Sequence, residues 1–389
     1  MSEHPFDALD EATLRARQSA KWTVYGADVL PAWVAEMDFP LAEPVRRALH
    51  AAVSGGDTGY ASSTDLGDVV AAWARARWGW NLPASSVHLV ADVMTGIAEV
   101  LRVATMPGDA VVIEPPVYPP FAATIRQLGR NVVRAPLLRT GAGWAPDLAA
   151  IERAYAGGAR AHLLCSPQNP TGLVYPRDAL VQIAELAERH RVLIIADEIH
   201  APLTLAGATH TPFPTASDAA RRRSIVATSA SKTWNIAGLK AAVLIASDPA
   251  VEPDAPAAVL ARLPPETPFH AGHFGVIASK AALREGQEWL AQTLAILDRN
   301  RQLLADLLRA ELPEVGYLAP QASYLAWLDC RTLGLGPDPA RAFLAQGAVA
   351  LSSGPTFGTE GEGFARLNFA TTRRLLEEAV RRMRRATGR

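Results

Sequence analysis

The sequence predicts an α/β fold built on a mostly parallel sheet. Two apolar stretches, Ala161–Cys165 and Arg191–Ala196, each end in a turn, and the amphipathic stretch Ala179–Arg189 connects them. A strand, a helix and a second strand in that order give a parallel pair, because the helical crossover returns the chain in the same direction. The length of 389 residues exceeds what one ordinary core accommodates, so we expect two domains.

Composition excludes several classes of function. The formal net charge of −1 gives no electrostatic reason to expect nucleic acid or an anionic membrane as a partner. Cys165 and Cys330 lie in apolar runs without the spacing of metal ligands, which favours a reducing compartment and neither a disulfide nor a metal site. No basic-then-apolar leader and no apolar run of about 18 residues is evident. We therefore expect a soluble, cytoplasmic protein.

The stretch Ser229–Lys240 is a candidate for amine chemistry. Lysine is rare in this chain, yet two lysines, Lys232 and Lys240, fall within this stretch. An amine forms a Schiff base and a guanidinium does not, so the choice of lysine over the abundant arginine is informative. A solvated loop rich in serine and lysine is the alternative interpretation.

Two polar residues that follow predicted strands point to one cofactor. Pyridoxal phosphate requires an acid opposite its ring nitrogen, an aromatic surface for its ring and donors for its phosphate. Asp197 follows an apolar strand, at the sheet edge where open α/β sheets bind ligands. Asn169 follows the neighbouring strand and can donate its amide hydrogens. Taken singly, Asp197 can be a loop residue or helix cap, and Asn169-Pro170 can be a plain turn.

Together, Asn169-Pro-Thr-Gly172, Asp197 and Ser229-x-x-Lys232 resemble the fold-type I enzymes of aminotransferase class I and II. The resemblance covers nearly the whole chain. Within that superfamily, the chain resembles the MalY/PatB branch of cystathionine β-lyases, and four stretches carry this finer likeness: 30–39, 59–60, 231–239 and 286–290.

The resemblance implies the type I fold of pyridoxal-phosphate-dependent transferases. A large domain with a mostly parallel sheet of the seven-stranded type would accompany a smaller α/β domain. We expect residues 1–45 to form an N-terminal arm and part of the small domain, residues 46–280 the large cofactor-binding domain, and residues 281–389 the small C-terminal domain. It also implies a homodimer with shared active sites.

The resemblance also implies the roles of individual residues. Lys232 would hold the cofactor and transfer the Cα proton, Asp197 would face the ring nitrogen, and Tyr118 would stack on the ring. The further cofactor contacts that it implies are Gly96, Ile97, Ala98, Asn169, His200, Ser229, Ser231, Lys240 and, from the partner subunit, Tyr60. The substrate contacts that it implies are Arg366, Trp33 and Asn169.

Two of these residues also have a physical argument of their own. Gly96 stands where we predict the start of a helix, and the free N–H groups of a helix start suit a phosphate. Arg366 lies in the apolar stretch Phe364–Phe369, a costly place for a cation that lacks an anionic partner. The family uses this arginine for the substrate α-carboxylate, and a structural ion pair is the alternative. The chain departs from the family at Glu36, at Ile97-Ala98 and at Lys240, where aspartate, two valines and arginine are usual.

The resulting expectation is a carbon–sulfur β-lyase that cleaves L-cystathionine or related S-substituted cysteines to a thiol, pyruvate and ammonia. An aminotransferase would share every one of these residues, because both reactions begin with removal of the Cα proton. A non-catalytic regulatory protein on the same fold is the third possibility. The presence of Lys232, Asp197 and Arg366 together argues against it.

Overall fold

A computed structural model describes residues 6–141, 143–250 and 252–388. These residues form a seven-stranded sheet. Its strands, in spatial order, are Val87–Val90, Ala242–Ile245, Ser224–Thr228, Leu193–Asp197, Ala161–Cys165, Ala110–Ile113 and Asn131–Arg134. Only Ala242–Ile245 runs antiparallel to its neighbours in this sheet of the described chain. The predicted α/β fold with a mostly parallel sheet is confirmed.

Helices cover both faces of this sheet. Leu163 and Leu164 are both buried, yet they belong to different apolar clusters, because successive side chains of a strand point to opposite faces. Burial on both faces explains why the strands are nearly continuously apolar. The helices of this part of the chain are Glu43–Ser54, Leu66–Trp78, Val93–Ala104, Pro120–Gln127, Leu148–Ala156, Arg177–His190, Asp218–Arg223, Ala230–Thr233, Pro256–Leu260 and His273–Glu285.

A second sheet, four-stranded and antiparallel among the described residues, lies in the C-terminal part of the chain. Its strands, in spatial order, are Gly316–Tyr317, Leu325–Asp329, Phe364–Asn368 and Ser352–Ser353. The helices of this part are Gln287–Glu311, Pro339–Gly347 and Arg373–Arg385.

The N-terminal segment packs with this second sheet. Its helices are Glu11–Arg15 and Ala20–Thr23, and its short strand Leu30–Pro31 pairs in parallel with Val349–Ala350. Phe6 and Met383 belong to the same apolar cluster, so the two ends of the chain share one core. The predicted boundary at residue 280 falls inside the helix His273–Glu285, and the division into domains stays a prediction.

The described residues contain neither a membrane-spanning helix nor a metal-binding cluster. No helix within residues 6–141, 143–250 and 252–388 is long and apolar enough to cross a bilayer. The same ranges contain no cluster of three or more His, Cys, Asp or Glu side chains that could hold a metal ion.

Candidate active site

A cavity of about 340 Å³ opens at the carboxyl edge of the large sheet. The strands Ala161–Cys165, Leu193–Asp197 and Ser224–Thr228 are parallel, so the loops that follow them meet at one edge. The volume is within the range of small-molecule sites. The sequence-predicted residues that line it are Tyr118, Asn169, Asp197, His200, Ser229, Ser231, Lys232, Lys240 and Arg366.

Lys232 projects into this cavity from the short helix Ala230–Thr233. Ser229 caps that helix: its hydroxyl oxygen accepts the Ser231 N–H at 3.0 Å. The Lys232 Nζ atom donates to the main-chain oxygen of Ala35 at 3.1 Å. Burial, followed by the charge of Arg366, lowers the pKa of Lys232 to about 8. About a tenth of this amine is therefore unprotonated, and nucleophilic, at pH 7, a much larger share than for an ordinary lysine.

Asp197 lies at the end of its strand and is buried. Its Oδ1 atom accepts the Ile199 N–H at 3.1 Å. Burial is the main cause that raises the pKa of Asp197 to about 7; the Glu198 carboxylate acts in the same direction, while the Ile199 hydrogen bond and the charge of Lys232 oppose the shift. A buried carboxyl group with a raised pKa gains most from a cationic hydrogen-bond donor, because that donor compensates the cost of desolvating the carboxylate.

Arg366 is buried opposite these groups, on the second sheet. Its guanidinium donates to Asn169 Oδ1, to the Trp33 carbonyl oxygen and to Ser352 Oγ, each at 3.0 Å. Its Nε atom is buried without a hydrogen-bond partner. No carboxylate of the described chain forms an ion pair with Arg366, so the structural ion pair considered from the sequence is not found. Burial lowers the pKa of Arg366 to about 10, and the group remains a cation at neutral pH.

The structure corrects the predicted start of the helix that contains Gly96, and the assignment of Gly96, Ile97 and Ala98 to the phosphate stays a prediction. The helix begins at Val93, with Asp92 as its cap, and not at Gly96. The Gly96 N–H already donates to the Asp92 carbonyl at 2.9 Å, and Ile97 is fully buried in the core. Gly96 suits close packing of the helix on the sheet, because a Cβ atom there would meet the Val90 and Leu244 side chains at 3.0 and 3.1 Å.

The cavity is instead lined by the first turn of this helix. Asp92, Val93 and Met94 face it, whereas Gly96, Ile97 and Ala98 lie further along the helix and do not. The free N–H groups of a first turn attract an anion. Lys240 lies beside this turn, with its Nζ atom 3.0 Å from Asp92 Oδ2.

Comparison with known proteins agrees with this geometry. Residues 38–383 match the family described as aminotransferase class I and II. The chain belongs to this family. It is 45% identical to a Mycobacterium tuberculosis protein named "Putative cystathionine beta-lyase", with 99% of each chain covered. It is 34% identical to cystathionine beta-lyase PatB of Bacillus subtilis, covering 98% of this chain and 99% of that protein.

A solved structure of the same family provides a third comparison. Cystalysin from Treponema denticola superposes with a TM-score of 0.89 at 26% sequence identity, and the match covers 99% of each chain. Its description states that the structure contains a pyridoxal 5′-phosphate cofactor. Fold and family are thus established for this chain by full-length matches.

The donor set of the cavity fits pyridoxal phosphate. Lys232 supplies an amine for the aldehyde carbon, and Asp197 supplies a buried acid whose raised pKa suits a protonated ring nitrogen. Lys240 and the N–H groups of Val93 and Met94, which line the cavity, would supply positive charge and donors for the phosphate. The Arg366 guanidinium also lines the cavity and would be available for a separate anion.

Tyr118 and His200 line the cavity as predicted, whereas the Trp33 side chain does not. Tyr118 lines the cavity, and burial raises the pKa of its hydroxyl. His200 is buried, its Nδ1 atom lies 3.1 Å from Ser323 Oγ, and burial lowers its pKa to about 3, so the ring is neutral. The Trp33 side chain is not among the lining groups. Its contribution to the site is the main-chain oxygen that accepts from Arg366.

Tyr60 lies outside the cavity of its own chain. Its side chain is 84% exposed and packs edge-on against Phe269, with ring centroids 6.2 Å apart. Its assignment to a partner subunit's phosphate therefore stays a prediction.

Sequence reasoning missed several groups that the structure brings to the site. The Ala35 carbonyl, the Tyr324 hydroxyl and the Asp92 carboxylate are the most prominent. A signal for Asp92 was available, because an aspartate directly before a helical pattern is a preferred cap. A main-chain carbonyl such as that of Ala35 has no signature in the sequence.

Proposed function

We propose that this protein is a pyridoxal-phosphate-dependent carbon–sulfur β-lyase. Its substrates would be L-cystathionine or related S-substituted cysteines, and its products a thiol, pyruvate and ammonia. One observation carries the proposal: Lys232, Asp197 and Arg366 line the same cavity. Among the described residues, no carboxylate pairs with Arg366. The names of the full-length relatives, cystathionine beta-lyases at 34% and 45% identity, support the choice of substrate.

Arg366, Lys232 and Asp197 have different roles in the proposed reaction. When bound, pyridoxal phosphate supplies an electron-accepting ring that acidifies the substrate Cα–H bond and allows a β-substituent to leave. Arg366 binds the α-carboxylate through its fork of N–H donors. Lys232, as the free amine, takes the Cα proton, and its lowered pKa suits this role. Asp197 accepts a hydrogen bond from the protonated ring nitrogen.

The proposed β-elimination breaks two bonds of the substrate, Cα–H and Cβ–S. The Cα–H bond gives its proton to Lys232, the Cβ–S bond breaks, and sulfur leaves with the electron pair as a thiolate. A proton returned to the thiolate completes the thiol. Water then hydrolyses the remaining three-carbon fragment to pyruvate and ammonia, so no oxidant and no amino acceptor is consumed.

We also propose a closed two-fold homodimer in which Tyr60 serves the partner's site. The exposed pair of Tyr60 and Phe269, 84% and 60% accessible, supports this assembly because large exposed aromatic rings favour burial in an interface.

The proposed domains remain residues 1–45, 46–280 and 281–389. We propose a cytoplasmic location, supported by the two free and buried thiols of Cys165 and Cys330.

The test supplies purified, cofactor-loaded enzyme with L-cystathionine and no 2-oxo acid, and measures pyruvate and free thiol. We expect both products to accumulate in equal amounts over many turnovers. Lys232→Ala should abolish turnover, whereas Lys280→Ala, which removes a surface amine 2.7 Å from Asp65 Oδ1, should leave it unchanged. Product that stops after one equivalent and resumes when a 2-oxo acid is added would establish an aminotransferase instead.

A further inference from the structure

The main-chain oxygen of Ala35, a residue that lines the cavity, receives two hydrogen-bond donors. Lys232 Nζ lies 3.1 Å from this oxygen, and the Tyr324 hydroxyl lies 3.0 Å from it. Tyr324 is fully buried, directly before the strand Leu325–Asp329, and its ring packs edge-on to His200. A carbonyl oxygen has two lone pairs, so the amine and the hydroxyl together occupy its full accepting capacity.

Other residues hold the Ala35 peptide in place independently of Tyr324. Asn368 Nδ2 donates to the carbonyl oxygens of Val34 and Glu36, at 2.7 and 2.6 Å. Asn235 pairs with both main-chain groups of Met37 at 2.8 Å. The peptides on either side of Ala35 are therefore fixed by two asparagines. Removing the Tyr324 hydroxyl would leave the carbonyl where it is and change only its second donor.

Two donors on one oxygen weaken each other, because each withdraws electron density from the atom that the other needs. The protonated amine depends on this acceptor more than the free amine does, since a charge-assisted hydrogen bond is the stronger one. We propose that Tyr324 is a positioning residue that controls the basicity of Lys232 through the shared Ala35 carbonyl. By occupying one lone pair, its hydroxyl destabilises the protonated amine and increases the fraction of Lys232 that is free base.

The charges around Lys232 do not change when this hydroxyl is removed. Burial raises the pKa of Tyr324, so its hydroxyl remains a protonated donor across the range in which Lys232 titrates. Burial is also the largest cause of the low pKa of Lys232. The charged or titratable groups that act on Lys232 or Tyr324 from the surrounding elements are Arg366, Glu36, Asp197, Lys240 and His200.

The experiment measures the pKa of Lys232 in the full-length, cofactor-free protein. Lysine labelled with ¹³C at Cε gives few signals because the chain contains so few lysines, and Lys232→Arg identifies the relevant one. Tyr324→Phe should raise the pKa of Lys232 by up to about half a unit, because removing the competing donor strengthens the amine's hydrogen bond by only part of the value of one hydrogen bond. Tyr317→Phe is the matched control, because its hydroxyl donates to the Arg301 carbonyl at 3.4 Å and shares no acceptor with Lys232.

An unchanged or lowered pKa in Tyr324→Phe would overturn the proposal, as would an equal rise in Tyr317→Phe. If Tyr324→Phe does not fold, Tyr324→Leu, which also lacks the hydroxyl, is titrated in its place. In the loaded enzyme, the acid limb of the kcat profile should move to higher pH by the same amount while KM stays constant. The inference rests on the proposed role of Lys232 in proton transfer. The cofactor-free titration does not require lyase activity, so absence of pyruvate would refute the proposed function alone.

Discussion

The Arg366 Nη1 atom lies 3.0 Å from the Asn169 Oδ1 atom, so a guanidinium of the second sheet and an amide at the edge of the large sheet form one hydrogen-bonded unit. The bond fixes the Asn169 side chain with its oxygen toward Arg366, which leaves its NH₂ group as the donor for another ligand. The proposed carboxylate site and the proposed cofactor site are therefore physically coupled.

The first prediction concerns this unit. Arg366→Lys keeps the charge but cannot reproduce the hydrogen bonds to Asn169 Oδ1, Ser352 Oγ and the Trp33 oxygen. We expect kcat/KM for L-cystathionine to fall by about 10- to 150-fold, the value of one charge-assisted hydrogen bond. Steady-state kinetics measure this change. Ser352→Ala, which removes a single partner of Arg366, should cost less, and equal kcat/KM in wild type and Arg366→Lys would refute the carboxylate role.

The second prediction concerns pH and Asp197. Burial raises the pKa of Asp197 to about 7 in the folded chain, whereas the unfolded value is about 3.9. The folded state binds the extra proton between these values, so the cost of the ionised group is absent at low pH and complete above pH 7. In cofactor-free protein, Asp197→Asn should therefore increase the free energy of unfolding by up to about 4 kcal/mol at pH 8, and by less at pH 5. Urea titrations at both pH values measure this difference.

Asp329 provides the control of opposite sign. Its hydrogen bonds with Arg331 and Arg139 overcome its partial burial and lower its pKa to about 2. Its ionised form therefore stabilises the fold above the unfolded pKa, and that contribution is lost as pH falls through 2. Asp329→Asn should reduce stability at both pH 5 and pH 8. A gain from Asp197→Asn of the same size at both pH values would contradict the assigned shift.

The third prediction concerns the ion pair between Lys21 and Asp38. The Lys21 Nζ atom lies 2.7 Å from Asp38 Oδ2, and the two side chains are only 1% and 2% exposed. Lys21→Met would leave the Asp38 carboxylate buried with the Trp22 Nε1–H as its remaining donor. We expect a loss of about 3–5 kcal/mol in the free energy of unfolding. Lys280→Met breaks a more exposed pair and should cost about 0–1 kcal/mol. Similar losses in the two variants would show that the buried pair is not essential.

The residues that were predictable from the sequence share a physical cause. Asp197 and Asn169 follow parallel strands, and the ends of parallel strands meet at one edge, so strand order alone brings them together. Arg366 was recognisable because a cation inside an apolar strand requires an anionic ligand. In these cases, hydrophobic periodicity predicts the strand on which the residue lies, and the residue type indicates which chemistry it can perform.

The remaining features depend on contacts between distant segments. Ala35 enters the site through a main-chain oxygen, and any residue type would supply the same atom. The role of Tyr324 has no signature in the sequence, because its hydroxyl meets a segment 289 residues away. Gly96 suggests a helix start in the sequence, but the helix begins at Val93, and this glycine instead allows the helix and the sheet to approach closely.

The final prediction is that the active site is shared between subunits. Tyr60 is 84% exposed and outside the cavity of its own chain, whereas Lys232 and Asp197 line that cavity. Consider a mixed dimer of Lys232→Ala and Tyr60→Ala chains. If Tyr60 acts on the partner's site, one site collects both defects and the other has none. Equal mixing with free subunit exchange should then restore about a quarter of wild-type activity, since about half of the dimers are mixed and each has one intact site.

The control for this complementation pairs Lys232→Ala with Asp197→Ala, two residues of the same cavity, and this mixture should recover nothing. Exchange is verified by native mass spectrometry of chains that differ in mass, so a lack of activity cannot be attributed to a lack of mixed dimers. If Tyr60→Ala and Lys232→Ala chains form mixed dimers and remain inactive, Tyr60 does not serve the partner's site. Its exposed ring would then be explained by packing against Phe269 in an interface without a catalytic role.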